Sequence, residues 1–116
     1  MRILTHRQKD IMAKKVIDDW CDFGLAFTDK GKYPREAFYA FFKSAWAYAE
    51  ATRRHRLIHR NVAHIIKGLT ETIECGRKRV PDKIIYDADR LECLFFCGYD
   101  PHFDGFEPPG LWFSLL

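Results

Sequence analysis

At 116 residues, 47% of them hydrophobic and 16% aromatic, the chain has the length and apolar content of one folded domain, which excludes a disordered chain and leaves no room for two cored domains. The formal charge of +3 conceals a division: residues 1–86 hold 18 Lys or Arg against 10 acids, whereas residues 87–116 hold one Arg against six. Such polarity suits an anionic partner, head-to-tail pairing of two copies as a homodimer, or an acidic end that screens a basic body.

Thr5 followed by Gln8 has the form of a capping box, and Ile11, Met12, Val16, Ile17 and Trp20 recur at helical spacing, predicting a first helix over residues 6–23 that Gly24 ends. Residues 28–33, with Asp29 and Gly31, read as a loop. Pro34 suits the first turn of a second helix, in which Phe38, Phe41, Phe42, Ala45, Trp46 and Ala49 form a stripe that faces the core. No proline interrupts residues 35–80, so this helix either runs straight into the next one or bends near Thr52. Gly76 suits the end of the third helix, and Pro81 the start of a fourth, in which Ile84, Ile85, Ala88, Leu91, Leu94 and Phe95 keep the three- and four-residue step up to its end at Gly98. A hairpin with strands at residues 83–86 and 91–97 is the rival for that segment. Residues 99–116 hold three prolines and two glycines among seven large apolar residues, an irregular tail expected to pack back on the bundle or to dock on a partner. The fold class is therefore all-α: a single domain, residues 1–116, made of about four helices and an irregular C-terminal segment.

Between Glu50 and Glu71 there is no acidic residue, while Arg53, Arg54, His55, Arg56, His59, Arg60, His64 and Lys67 crowd into the same stretch. If this stretch is helical, Arg53, Arg56, Arg60, His64 and Lys67 share one face and Ile58, Val62, Ile65, Leu69 and Ile73 another. A single-sign face of this kind fits a polyanion, with cations on phosphates giving affinity without sequence selectivity. Arg77, Lys78 and Arg79 serve equally well as further phosphate contacts or as cations at a helix C-terminus. The competing reading pairs the arginines with Asp18, Asp19, Asp22 or the acidic C-terminal end.

Arg54-His55-Arg56-Leu57-Ile58-His59, an Arg, a polar residue, three more residues and a His, resembles the catalytic signature of the HEPN superfamily of small all-helical ribonucleases. The resemblance implies metal-independent RNA cleavage at a dimer interface, with Arg54 on the scissile phosphate and His59 as general acid or base. In an unbroken helix, however, positions i and i+5 point about 140° apart, which separates the two side chains.

His55 and His59 lack the carboxylate partner of a metal site and stand among arginines, and Glu71, Glu74, Asp89 and Glu92 form an incomplete carboxylate motif, so neither a metal nor a cofactor is expected. Asp87-Ala88-Asp89-Arg90 lacks the His-Asp dyad of HD-domain phosphohydrolases, and the chain holds no P-loop, dinucleotide turn or nucleophile motif. Cys21, Cys75, Cys93 and Cys97 lack the spacing of a disulfide framework and are expected to be reduced thiols acting as small hydrophobes. Residues 1–10 carry no apolar run of the signal-peptide type and no stretch reaches membrane-span length, so a cytoplasmic location is expected. The leading expectation is a non-enzymatic protein that binds RNA or DNA with Arg53, Arg56, Arg60, His64, Lys67, Arg77, Lys78 and Arg79. The alternatives are a protein-interaction or regulatory module whose partner is an acidic protein surface, anchored through Leu111, Trp112 and Phe113, and the ribonuclease.

Overall fold

In the computed structural model, residues 5–27, 33–76, 78–98 and 100 are described, and among them the chain forms four helices and no strand. These are α1 (His6–Phe27), α2 (Arg35–Ala51), α3 (Arg60–Cys75) and α4 (Asp82–Cys97). Segment 83–97 is helical throughout, which settles the hairpin alternative. The expected packing of the tail concerns residues that lie outside those described, apart from Asp100.

The predicted capping box opens α1: the Gln8 N–H donates to Thr5 Oγ1 at 3.1 Å, and the Thr5 N–H donates to Gln8 Oε1 at 2.9 Å. Gly24 does not end this helix, which runs on to Phe27. A glycine that stops a helix through a left-handed turn adopts a positive φ, and among the described residues only Gly98 does so, while Gly76 caps α3 at a φ of −109°. Phe23, fully buried, holds the last turns of α1 down, with its ring 5.9 Å from that of Phe38 and 6.0 Å from that of Tyr33.

The four helices pack in a ring: α2 against α1 and α4, and α3 against α4 and α1. Phe38, Phe41, Ala45 and Ala49 of the predicted stripe are buried, together with Tyr48, and Phe42 and Trp46 are half-buried with their rings stacked 5.5 Å apart. Val16 from α1, Val62, Ile66, Leu69 and Ile73 from α3, and Ile84, Leu91 and Leu94 from α4 complete the core. Pro34 and Pro81 occupy the N-cap positions of α2 and α4, and each helix has an acid in its first turn, Glu36 and Asp82, where the helix dipole favours negative charge.

Asp87, which lies off the apolar stripe of α4 in sequence, is only 4% exposed, between α2 and α4. It accepts the Tyr39 hydroxyl at 2.7 Å and Lys83 Nζ at 3.3 Å, and Arg90 approaches it at 3.7 Å. Arg90 in turn pairs with buried Asp100 at 3.1 Å and lies 5.0 Å over the Trp46 ring. The carboxylate is buried because three neighbours on two helices, Tyr39, Lys83 and Arg90, supply its donors and counter-charges, which periodicity cannot register.

The cysteines are free thiols, as expected, but Cys21 and Cys75 are exposed and only Cys93 and Cys97 are half-buried. Burial pushes the Cys93 thiol above its ordinary pKa. No described helix is long and apolar enough to cross a membrane.

Candidate nucleic-acid interface

The basic segment is not one helix. Helix α2 ends at Ala51, α3 begins at Arg60, and residues 52–59 form a non-helical linker between them. Of the five cations expected on a single helical face, Arg53 and Arg56 therefore lie in the linker, and only Arg60, His64 and Lys67 share a face of α3. On the apolar side the register also shifts: Val62, Ile66, Leu69 and Ile73 are buried, Ile65 is half-buried, and Ile58 precedes the helix.

Three anchors impose the break. Thr52 is buried and directs both its backbone N–H and its hydroxyl at the Tyr48 carbonyl, at 3.0 and 2.8 Å, which closes the last turn of α2. The Arg53 Nε–H donates to the Gly98 carbonyl at 2.7 Å, tying the linker to the end of α4. At the far end, the buried Tyr48 hydroxyl accepts the His59 N–H at 2.8 Å, and His59 Nδ1 accepts the Asn61 N–H at 3.2 Å, so that His59 is the N-cap of α3. Burial raises the Tyr48 pKa, the His59 N–H working in the opposite direction, so its hydroxyl is neutral at physiological pH.

Between these anchors Arg54, Arg56 and Leu57 are exposed, and His55 is half-buried with its Nδ1 enclosed and without a hydrogen-bond partner among the described residues. Arg54, Arg56, Arg60 and Lys67 make no ion pair there either. Two of the acids proposed to neutralise them are already engaged on their own helix, Asp18 by Lys14 at 3.0 Å and Asp19 by Lys15 at 3.4 Å. Asp100, from the acidic end, is engaged by Arg90. Arg53 departs from the expected role, because its guanidinium serves a backbone carbonyl inside the fold.

The cationic face has a definite end. Along α3, the steps from Arg60 to His64 and Lys67 continue to Glu71 and Glu74, which reverse the sign of the same face in its second half. Lys78 and Arg79 lie past the end of α3, a helix of 16 residues and so about 24 Å long, and belong to a different surface. There Arg79 and Arg35 line an open cavity of about 820 Å³ with Tyr33 and Glu36, where burial pushes the Tyr33 hydroxyl up to about 12. Arg77, Leu111, Trp112 and Phe113 lie outside the residues whose side chains are described. The seven described members of the expected phosphate-ligand set thus divide into a linker-and-α3 group and, past the other end of α3, Lys78 and Arg79.

For the ribonuclease pair, the opposition of i and i+5 does not apply, because residues 54–59 are not helical. Arg54 projects outward, and His59, with Nδ1 engaged in the cap, carries its proton on Nε2, the nitrogen left for any acid–base work. Among the described residues no three His, Cys, Asp or Glu side chains are placed to hold a metal ion, and Glu92 instead accepts the Thr70 hydroxyl at 3.0 Å. In comparisons with known proteins, no family model, no curated protein and no solved structure matches the chain.

Proposed function

We propose that the protein binds the sugar-phosphate backbone of nucleic acid through Arg54, Arg56, Arg60 and Lys67, with His64 as an additional donor. The observation that carries this reading is the exposure of these cations, without a carboxylate partner among the described residues, in a stretch that contains no acid between Glu50 and Glu71. The linker that carries Arg54 and Arg56 is tied at both ends, since residues 52, 53 and 59 are each hydrogen-bonded to buried or helix-terminal groups. Four cations on a short surface favour backbone contact over base reading, and binding of that kind weakens steeply with salt. Glu71 and Glu74 limit the contact to one end of α3, so the footprint is short.

The test is a titration of labelled RNA and DNA at several salt concentrations. Four phosphate contacts give a slope of log affinity against log salt of about −3 to −4 on duplex. Substitution of Arg54, Arg56 and Arg60 together by Glu is expected to abolish binding with helicity unchanged. Retention of binding by that variant overturns the reading.

A further inference from the structure

Leu57 is 81% exposed, more than Leu25, Ile11, Tyr86 or Phe96, the other large apolar residues that are mostly exposed among those described. Its position sets it apart. Ile11 and Leu25 lie on α1, and Tyr86 and Phe96 on α4, each on a helix that carries acids, whereas Leu57 stands beside Arg56 and near Arg54 and Arg60 in the stretch devoid of acids. Its neighbour Ile58 is half-buried and packs against the core, so the chain turns one apolar side chain inward and the next one outward. Arg53 and His59 fasten the backbone on either side of this tip, through Gly98 and Tyr48. A leucine held at the tip of an anchored loop is presented before any partner arrives, so little further ordering opposes its burial.

Phosphates satisfy the arginines but offer nothing to a leucine, whereas the faces of bases do, and apolar side chains flanked by cations act as wedges between base steps in nucleic-acid complexes. We infer that Leu57 is such a wedge, and that the preferred ligand is nucleic acid with unpaired or easily unstacked bases, such as a bulge or a single-stranded loop, rather than uniform duplex. This inference rests on the nucleic-acid reading above and assigns its substrate class.

The experiment compares labelled RNA and DNA hairpins carrying a two-nucleotide bulge with fully paired ones, with 2-aminopurine placed beside the bulge, and includes vesicles of anionic phospholipid. The wild-type chain is expected to bind the bulged hairpins about tenfold more tightly, the gain that burying one leucine side chain supplies, and to change the 2-aminopurine fluorescence. Leu57→Ser removes the preference and the fluorescence change while leaving the salt dependence as it was, and Leu57→Phe retains both. Because the side chain is exposed, Leu57→Ser remains folded, which circular dichroism checks. Equal binding of wild type and Leu57→Ser to every hairpin overturns the wedge and leaves the backbone reading intact. Failure of the wild type to bind any hairpin overturns both. Vesicle binding that Leu57→Ser abolishes, without discrimination among hairpins, overturns the wedge in favour of a lipid surface.

Discussion

The Arg53 side chain and the Gly98 carbonyl meet at 2.7 Å, joining the start of the cationic linker to the C-terminus of α4 across 45 residues of sequence. Gly98 has a left-handed φ of 64°, and a Cβ placed on it would come within 3.1 Å of the Arg53 carbonyl oxygen. The glycine therefore does two things at once. It ends α4, and it lets the linker backbone approach closely enough for the guanidinium to satisfy a terminal carbonyl at the negative pole of the helix.

Gly98→Ala is expected to destabilise the fold by about 1–2 kcal/mol, because the left-handed conformation and the close approach both oppose a Cβ. Arg53→Ala is expected to lose about 1–2 kcal/mol with its charge-assisted hydrogen bond. Urea denaturation of the two single variants and the double variant measures this, and losses that simply add mean that the two positions act independently.

His59→Ala removes the N-cap of α3 and is expected to lower stability by about 1 kcal/mol, whereas His59→Asn retains a capping acceptor and most of the stability. The pair also bears on the ribonuclease reading. A purified wild type that leaves single-stranded RNA intact rules that reading out, and activity that His59→Asn abolishes at unchanged stability supports it.

Asp87→Ala leaves the Tyr39 hydroxyl and Lys83 without their acceptor and is expected to cost about 2–3 kcal/mol. Asp87→Asn, which keeps an acceptor for Tyr39, is expected to cost less. A thermodynamic cycle with Tyr39→Phe isolates the 2.7 Å bond, and a coupling indistinguishable from zero removes it as a stabilising contact.

Tyr33 is pushed by burial from an ordinary 10.0 up to about 12, so the folded state favours its neutral form. The stability this contributes is complete below pH 10.0, the unfolded value, and is lost as pH rises towards the folded value of about 12. Ultraviolet titration of tyrosinate in the wild type and in Tyr33→Phe is expected to differ by one late-titrating group near pH 12. Identical curves at that end of the titration contradict the assignment.

Most of the helical architecture is readable from local pattern. The Thr5–Gln8 box, the Phe38–Phe41–Ala45–Ala49 stripe, and Pro81 and Gly98 at the two ends of α4 each need only neighbours within a turn or two, which is the range over which capping and amphipathic periodicity act. Gly24 misleads because a glycine ends a helix only where its backbone leaves the helical conformation, and the buried Phe23 keeps that segment helical. For the candidate site, the sequence reveals the absence of acids between Glu50 and Glu71, on which the proposed partner class rests, but not the geometry.

Composition, helical periodicity and capping residues, all contained within short stretches of chain, were enough for about four helices, most of their buried faces and the separation of charge along the sequence. The break at Thr52, the withdrawal of Arg53 from the solvent-facing cations, the outward projection of Leu57 and the burial of Asp87 follow from packing. Each depends on residues far apart in the chain, Arg53 with Gly98, His59 with Tyr48, Asp87 with Tyr39, and such hydrogen bonds exist only once helices have docked.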